Sequence, residues 1–305
     1  MRSLIRHLAF AVAAATAAAD DSPELIQDGD LVVLLGGTLV ERAQESGAWE
    51  IALQLAYPDR TFSVRNFGWS GDTVWAESRG QFDPPSEGYR RMIDQITALK
   101  PDVILIGYGN AEAFAGEAGL PAFTRQYREL IDDLPDARLA HLLPLVPLSY
   151  VADDQPGFRG PPQYRDDVAR YADVIRAIAK ERGELAIEPL PHAPRLELGF
   201  EDNGMHLNGL GYVSSSMSLL RSLDRFSPET FAKVQDPDAE LLLAVRRKNR
   251  LVFDRWRPQN VTYLFGFRKH EQGQNAAEIP QFDPLIEAAD AEIGRIKREL
   301  GGTAE

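Results

Sequence analysis

There is no cysteine among the 305 residues. That absence excludes disulfides, thiolate nucleophiles, thiolate metal sites, cysteine-linked lipid and CxxCH haem attachment. The fold must therefore be held by its core, which a chain of this length can supply. An excess of positive charge is missing as well: 33 Lys and Arg stand against 46 Asp and Glu, a formal net charge of -13. That is the wrong sign for a protein whose main partner is nucleic acid, since phosphate backbones demand a basic footprint. No HExxH or comparable ligand pair occurs, so no metal is expected. Gly36 and Gly37 could open a nucleotide-binding turn, but neither GxGxxG nor a Walker lysine follows, and no cofactor is expected. Internal repeats and low-complexity tracts are also absent.

The first residues, MRSLIRHLAFAVAAATAAADD, have a different character. Arg2, Arg6 and His7 form a basic head, an apolar run begins at Leu8, and small residues stand at Ala17 and Ala19. This pattern predicts a signal peptide over residues 1–19, cleaved near Ala19, and an exported mature protein, periplasmic or secreted. An uncleaved anchor is the competing reading, but the apolar run is too short to span a bilayer, so no stable membrane insertion is expected.

From Leu31 short apolar runs alternate with amphipathic stretches. The runs are LVVLL from Leu31, TFSVRNF from Thr61, DVILIGY from Asp102, LAHLLPLVPL from Leu139 and ELAIEPL from Glu184. Helical spacing appears in Tyr89, Met92, Ile93, Ile96 and Leu99, with Ser86 as a cap. It recurs in Phe123, Tyr127, Leu130 and Ile131, and in Tyr164, Val168, Tyr171, Ile175 and Ile178. Strand and helix in regular succession predict a parallel sheet covered on both faces. Continuously apolar strands fit that reading. Ligands of such sheets bind beyond the carboxyl ends of the strands, near the point where strand order reverses.

The residues just after the runs carry the chemistry. They are Gly36-Gly37-Thr38-Leu39, then RNFGWSGDT with Ser70, Gly71 and Asp72, then GYGNAEAF with Asn110 and Glu112. Last comes EDNGMHLNGLGY with Asp202, Asn203 and His206. A hydroxyl, open backbone amides, a carboxamide and a histidine beside an acid are the parts of acyl transfer. Alone, Thr38 would read as a turn residue capping the next helix.

These blocks, in this order at strand ends, resemble the SGNH hydrolases, the GDSL-like esterases and lipases. Gly36 to Leu39, with Glu41 following, is similar to the family's opening block. Ser70-Gly71-Asp72-Thr73, preceded by Asn66, is similar to its glycine block. Gly109 to Glu112 loosely matches its third block, and Asn203 to His206, trailed by Leu207, Asn208, Gly211 and Tyr212, its last. The resemblance covers roughly residues 28–223. It implies a flavodoxin-like three-layer α/β sandwich with a parallel five-stranded sheet. It also implies hydrolysis of a small-molecule or carbohydrate ester, an acetyl ester among the candidates. By the same resemblance Thr38 is the nucleophile and His206 the base, with Asp202 or Asn203 behind it. Gly37, Ser70, Gly71 and Asn110 would then bind the oxyanion or substrate.

Three departures oppose that reading. Threonine replaces serine, and its methyl group restricts χ1 and crowds the approach. Counting back from Glu112 puts Ala111 where the oxyanion asparagine belongs, and Asn110 fits only if the loop shifts by one. Asn203 stands three residues before His206, with Asp202 one further back. An amide in place of the orienting acid costs about 10⁴ in serine proteases, and one lost oxyanion donor about 10²–10³. The alternative is a degenerate site that binds a glycan or a partner without cleaving it.

After about Ser222 the pattern changes. Arg246, Arg247, Lys248, Arg250, Arg255, Arg257, Arg268 and Lys269 gather in an otherwise acidic chain, and a last helix is predicted over residues 284–300. Residues 224–305 read as a helical extension packed on the sheet domain. Its RWRPQNVTYLFGF stretch serves as cover, with aromatics packed and arginines paired, or as a saccharide or anionic-ligand contact. Asn260-Val261-Thr262 matches a glycosylation sequon. His141 lies in an apolar run and reads as structural; His192 and His270 show no ligand spacing.

Overall fold

The computed structural model describes residues 24–146, 163–190 and 205–301. The expected signal peptide, His192, Asp202 and Asn203 lie outside the described residues. Within them, β1 (Leu31–Gly36) leads into α1 (Thr38–Ser46) and α2 (Ala48–Ala56), and β2 (Ser63–Gly68) into α3 (Glu77–Gly80) and α4 (Pro85–Leu99). Next come β3 (Val103–Gly107), α5 (Gly116–Asp133), β4 (Arg138–Leu142), α6 (Tyr164–Arg182) and β5 (Leu185–Ile187). Then α7 (Gly209–Ser222), α8 (Pro228–Gln235), α9 (Ala239–Trp256), α10 (Val261–Leu264), α11 (Lys269–Gln272) and α12 (Phe282–Gly301) complete the chain. No helix among the described residues is long and apolar enough to cross a membrane.

The five strands are all parallel, in the order β2-β1-β3-β4-β5. This is the flavodoxin-like order, with its crevice between β1 and β3. Alternate residues of β1 serve opposite faces. Val32 and Leu34 join a core with α2, α7 and the inner sides of α9 and α12, whereas Val33 and Leu35 join one with α4, α5 and α6. Both faces are buried, which is why the strand sequences do not alternate with polar residues. His141 is fully buried on β4, held between the Tyr127 hydroxyl at 2.9 Å and Glu184 at 2.7 Å. Burial lowers its pKa, and Glu184 opposes that shift.

Two local features differ from the sequence-based expectation. The helix expected to be capped by Ser86 begins two residues earlier than that cap implies: Pro85 is its first residue and Pro84 its cap. A proline tolerates that place because the first-turn N–H has no helical partner to lose. The last helix begins at Phe282, two residues before the proline that seemed to open it.

The C-terminal helices are bound to the sheet domain by buried charge as well as apolar surface. Lys248 on α9 is fully buried and donates to Glu50 Oε2 at 2.7 Å, to the Val64 carbonyl at 2.7 Å and to Asn249 Oδ1 at 2.8 Å. Lys297 on α12 donates to Gln54 Oε1 at 2.9 Å and to the carbonyls of Tyr57 and Arg60. At the sheet edge, Arg65 of β2 grips Asp290 of α12 through two hydrogen bonds. This pair ties edge strand β2 to α12.

Candidate active site

The crevice is made possible by glycines. Gly36, at the end of β1, stands in register with Gly68 on one side and Gly107 on the other. α1 starts directly above this row, and a Cβ at Gly68 would lie 2.2 Å from the Glu41 amide nitrogen. Any side chain there would lift the first turn of α1 off the sheet. The glycines of Gly36-Gly37 and Gly68 serve packing first: bare backbone is needed so that a helix can begin on the strand ends.

Thr38 is the first residue of α1, and the cap is Gly37, without a side-chain capping bond. The Thr38 hydroxyl therefore does not serve as a cap. Its Oγ1 instead accepts a hydrogen bond of 2.9 Å from the Gly71 N–H. Gly71 holds φ at +71°, a left-handed conformation that costs glycine little and turns its amide toward Thr38. The N–H groups of Thr38 and Leu39 belong to the first helical turn, where the helix offers no acceptor. The start of α1 thus favours negative charge near Thr38.

Two buried carboxylates hold the loops that follow β2 and β3. Glu112 accepts from the Val74 N–H and the Gly109 N–H, each at 2.8 Å, so one side chain joins both loops. Burial raises its pKa to about 7, against the stabilising effect of these amides. Asp72, 1% exposed, accepts from Arg79 Nε at 2.6 Å and from the Tyr108 hydroxyl at 3.2 Å. Burial raises its pKa too, while Arg79, the Thr73 amide and Tyr108 offset part of the shift. Arg79 also donates to the Phe67 carbonyl at 2.7 Å.

A cavity of about 230 Å³ opens above the strand ends, lined by Gly37, Thr38, Gly71, Asn110 and His206 together with Asp72, Glu112, Phe114 and Tyr212. His206 sits just before α7, whose start is fixed twice. Asn208 caps it by accepting from the Gly211 N–H at 3.0 Å, and the Tyr212 hydroxyl donates to the Leu39 carbonyl at 2.7 Å. The LNGLGY run after His206 thus ties that loop to α1. Ser70 is not on the cavity wall, because its hydroxyl donates to Glu41 Oε2 at 2.6 Å. The Asn110 side chain reaches the cavity but is paired at both ends with Leu145, donating to its carbonyl at 2.8 Å and accepting from its N–H at 3.0 Å. One Nδ2 hydrogen is left for another acceptor. Phe114, which the sequence did not single out, stacks on Tyr164 with ring centroids 4.4 Å apart and forms part of the wall.

This cavity is not the largest. An open one of about 600 Å³ lies on the other flank of α1, bordered by Glu41, Arg42, Arg246 and Arg250, and contains neither Thr38 nor His206. The smaller cavity is the better candidate because it joins a hydroxyl, helix-start amides and an imidazole at the topological switch. Among the described residues no group of carboxylates and histidines is arranged to hold a metal ion.

The sequence profile of the GDSL-like lipase/acylhydrolase family matches residues 35–213, which spans all four strand-end blocks. The chain belongs to that family. No curated protein matches it. Among solved structures it is similar to an acetyl xylan esterase from Geobacillus stearothermophilus, at 17% identity and a TM-score of 0.49, over 66% of this chain and 98% of that one. It is also similar to a carbohydrate acetylesterase family member from Sinorhizobium meliloti, at 14% identity and a TM-score of 0.46, over 64% and 99%. A gut microbial diltiazem-metabolizing enzyme matches at 17% identity and a TM-score of 0.44, over 66% of this chain and 48% of that one. The chain thus spans about half the length of that last enzyme.

Proposed function

We propose that this protein hydrolyses a small acyl ester, an acetyl group on carbohydrate, with Thr38 as nucleophile. His206 takes the Thr38 proton as Oγ1 attacks the carbonyl carbon. The oxyanion is received by the amides of Gly71 and Thr38, with the remaining Nδ2 hydrogen of Asn110 as a third donor. Collapse breaks the ester bond and His206 returns the proton to the leaving alcohol. Water, deprotonated by His206, then attacks the acyl-threonine; the bond to Thr38 Oγ1 breaks, His206 returns the proton to that oxygen, and the acid is released. Asp202 or Asn203 orients the imidazole. The observation that carries this reading is the 2.9 Å bond from the Gly71 N–H to Thr38 Oγ1 in a cavity shared with His206. An amide that meets the nucleophile oxygen at rest is within reach of the carbonyl oxygen once that nucleophile has attacked.

Cavity size supports a short acyl group. The carbohydrate half of the reading rests on family membership and on the expected export signal. The test is acetate release from 4-nitrophenyl acetate and from acetylated xylan by the mature chain, beside Thr38→Ala, His206→Ala and Thr38→Ser. Turnover lost in both alanine variants, and retained or raised in the serine variant, supports the nucleophile. Equal inactivity of the parent and both alanine variants sinks it.

A second reading has one observation in its favour. The pairing of Asn110 with Leu145 turns the carboxamide nearest the oxyanion position toward the backbone. On that reading the cavity binds an acylated ligand without cleaving it, and acetylated xylo-oligosaccharide binds the inactive parent and not the His206→Ala variant.

A further inference from the structure

A further cavity, of about 300 Å³, lies between the chain after α3, helix α4 and the segment from Trp256 to Phe267. It belongs to the aromatic and basic stretch that family membership leaves unexplained. Phe82, Phe265 and Phe267 line it and are 79%, 54% and 70% exposed. Phe82 and Phe267 meet edge to face, their centroids 6.2 Å apart, although they come from opposite halves of the chain. A cluster of this kind differs from the single apolar residues scattered over any protein surface.

The arginines on its wall divide into satisfied and unsatisfied. Arg79 is bonded to Asp72 and to the Phe67 carbonyl. Arg91 is bonded to Asp83 and to the carbonyls of Arg79 and Gly80, and Arg90 to Glu87 and Asp94. Arg257 stands apart. Among the described residues its guanidinium makes no hydrogen bond: the Glu41 carboxylate is 3.8 Å away, already receiving Gln44 and Ser70, and Arg257 Nη1 is buried without a partner. The group lies over the Trp69 ring, 3.8 Å from its centroid. Burial lowers its pKa, with Glu41 only partly compensating.

We propose that this cavity binds a small planar acid, one carboxylate on an apolar ring, with Arg257 receiving the carboxylate and the phenylalanines enclosing the ring. The guanidinium makes no hydrogen bond among the described residues, its nearest carboxylate being Glu41 at 3.8 Å, and its fork suits a ligand carboxylate. The anion would also supply the close hydrogen bonds that Glu41, at 3.8 Å, does not, for a cation that is partly buried. A sugar fits less well. Trp69 already carries Arg257 and Arg79, Trp256 carries Arg255, and the exposed rings are phenylalanines without a polar handle. The volume lies at the small end of ligand sites, about 300–1,000 Å³. This site is separate from the candidate active site: Asp72 lines that cavity and Arg79 this one, so their ion pair forms the partition.

The test is calorimetric titration of the full chain with benzoate, benzamide and glucuronate. Benzoate is expected to bind with one site per chain, and benzamide and glucuronate at least about tenfold more weakly. Arg257→Leu, and Thr262→Trp, which fills the rim and leaves Arg257 in place, each reduce benzoate affinity at least about tenfold. Melting temperatures are read beside both variants, and the benzoate-to-benzamide ratio in the parent needs neither variant to fold. The proposal is overturned by no benzoate binding up to about 10 mM, by benzamide or glucuronate binding as tightly, or by a folded Arg257→Leu that binds benzoate like the parent.

Discussion

The strand-end face and the C-terminal extension both use buried charge to fix irregular backbone, but with opposite sign. At the strand ends the buried groups that hold the loops are chiefly acids: Glu112 collects two backbone N–H groups, and Asp72 anchors the buried Arg79 and Tyr108. In the extension they are lysines: Lys248 and Lys297 collect carbonyls and amide oxygens left over from β2, α2 and the turn after it. The difference follows from which backbone groups each region leaves unpaired. Loops that leave a strand and turn over a helix start present N–H groups, which need acceptors. A helix end and an edge strand present carbonyls, which need donors. An acidic protein with a basic tail is therefore less paradoxical than its composition suggests, since part of the tail's charge points inward.

The comparison can be broken most forcefully at Lys248. Lys248→Met leaves Glu50 buried without its cation, and we expect a loss of about 3–5 kcal/mol in urea unfolding. Glu50→Leu combined with Lys248→Met should recover most of it. A single variant that loses under about 1 kcal/mol would show that the buried pair carries no such strain.

The two regions should also tilt stability against pH in opposite directions. Glu112 has its pKa raised from 4.5 to about 7 in the folded state, so the folded chain binds the extra proton in that window. Its contribution is complete below pH 4.5 and is lost as pH rises through about 7. The amount is on the order of 3 kcal/mol. Lys297 has its pKa lowered by burial from 10.5 to about 8, so there the unfolded chain binds the extra proton and stability rises with pH across that window. Chemical denaturation at stepped pH checks both. Glu112→Gln should flatten the acid-side slope and Lys297→Met the alkaline one, each leaving the other intact.

Gly68→Ala sharpens the comparison from the packing side. The new methyl group would meet the Glu41 amide at 2.2 Å, and we expect a cost of about 1–3 kcal/mol with loss of ester turnover as α1 shifts. Wild-type stability in that variant would mean that α1 is free to slide on the strand ends. The smallest effect is expected at an exposed pair of the extension: Lys233→Ala, which breaks the i,i+4 contact with Glu229, should leave the urea midpoint within experimental error.

Much of the fold was legible because its signals are local. The five apolar runs became five parallel strands, and the periodicity of Tyr164, Val168, Tyr171, Ile175 and Ile178 became the buried face of α6. The strand-end blocks could be located because glycines, a hydroxyl and LNGLGY stand at fixed places relative to those runs. Where each side chain points was not legible. Asn110 looked like a free carboxamide and is held by Leu145; Ser70 looked like a cavity residue and bonds Glu41. Glu112 was visible in its block, but that it clamps two loops depends on Val74, 38 residues earlier.

The sequence by itself determined the layering, the order of the strand-end blocks and the acidic balance of the chain, because periodicity, turn residues and composition act over a few neighbouring positions. Only the tertiary structure decided which charges are buried. Lys248 reads as one more member of a basic run, and Lys297 as one charge of the last helix, until Glu50, Val64, Gln54 and Tyr57 arrive from about 200 residues away. Arg257 reads the same as Lys248 does, and it alone of the three has no hydrogen-bond acceptor among the described residues. A charge is defined by its partners, and partners distant in sequence are supplied by folding.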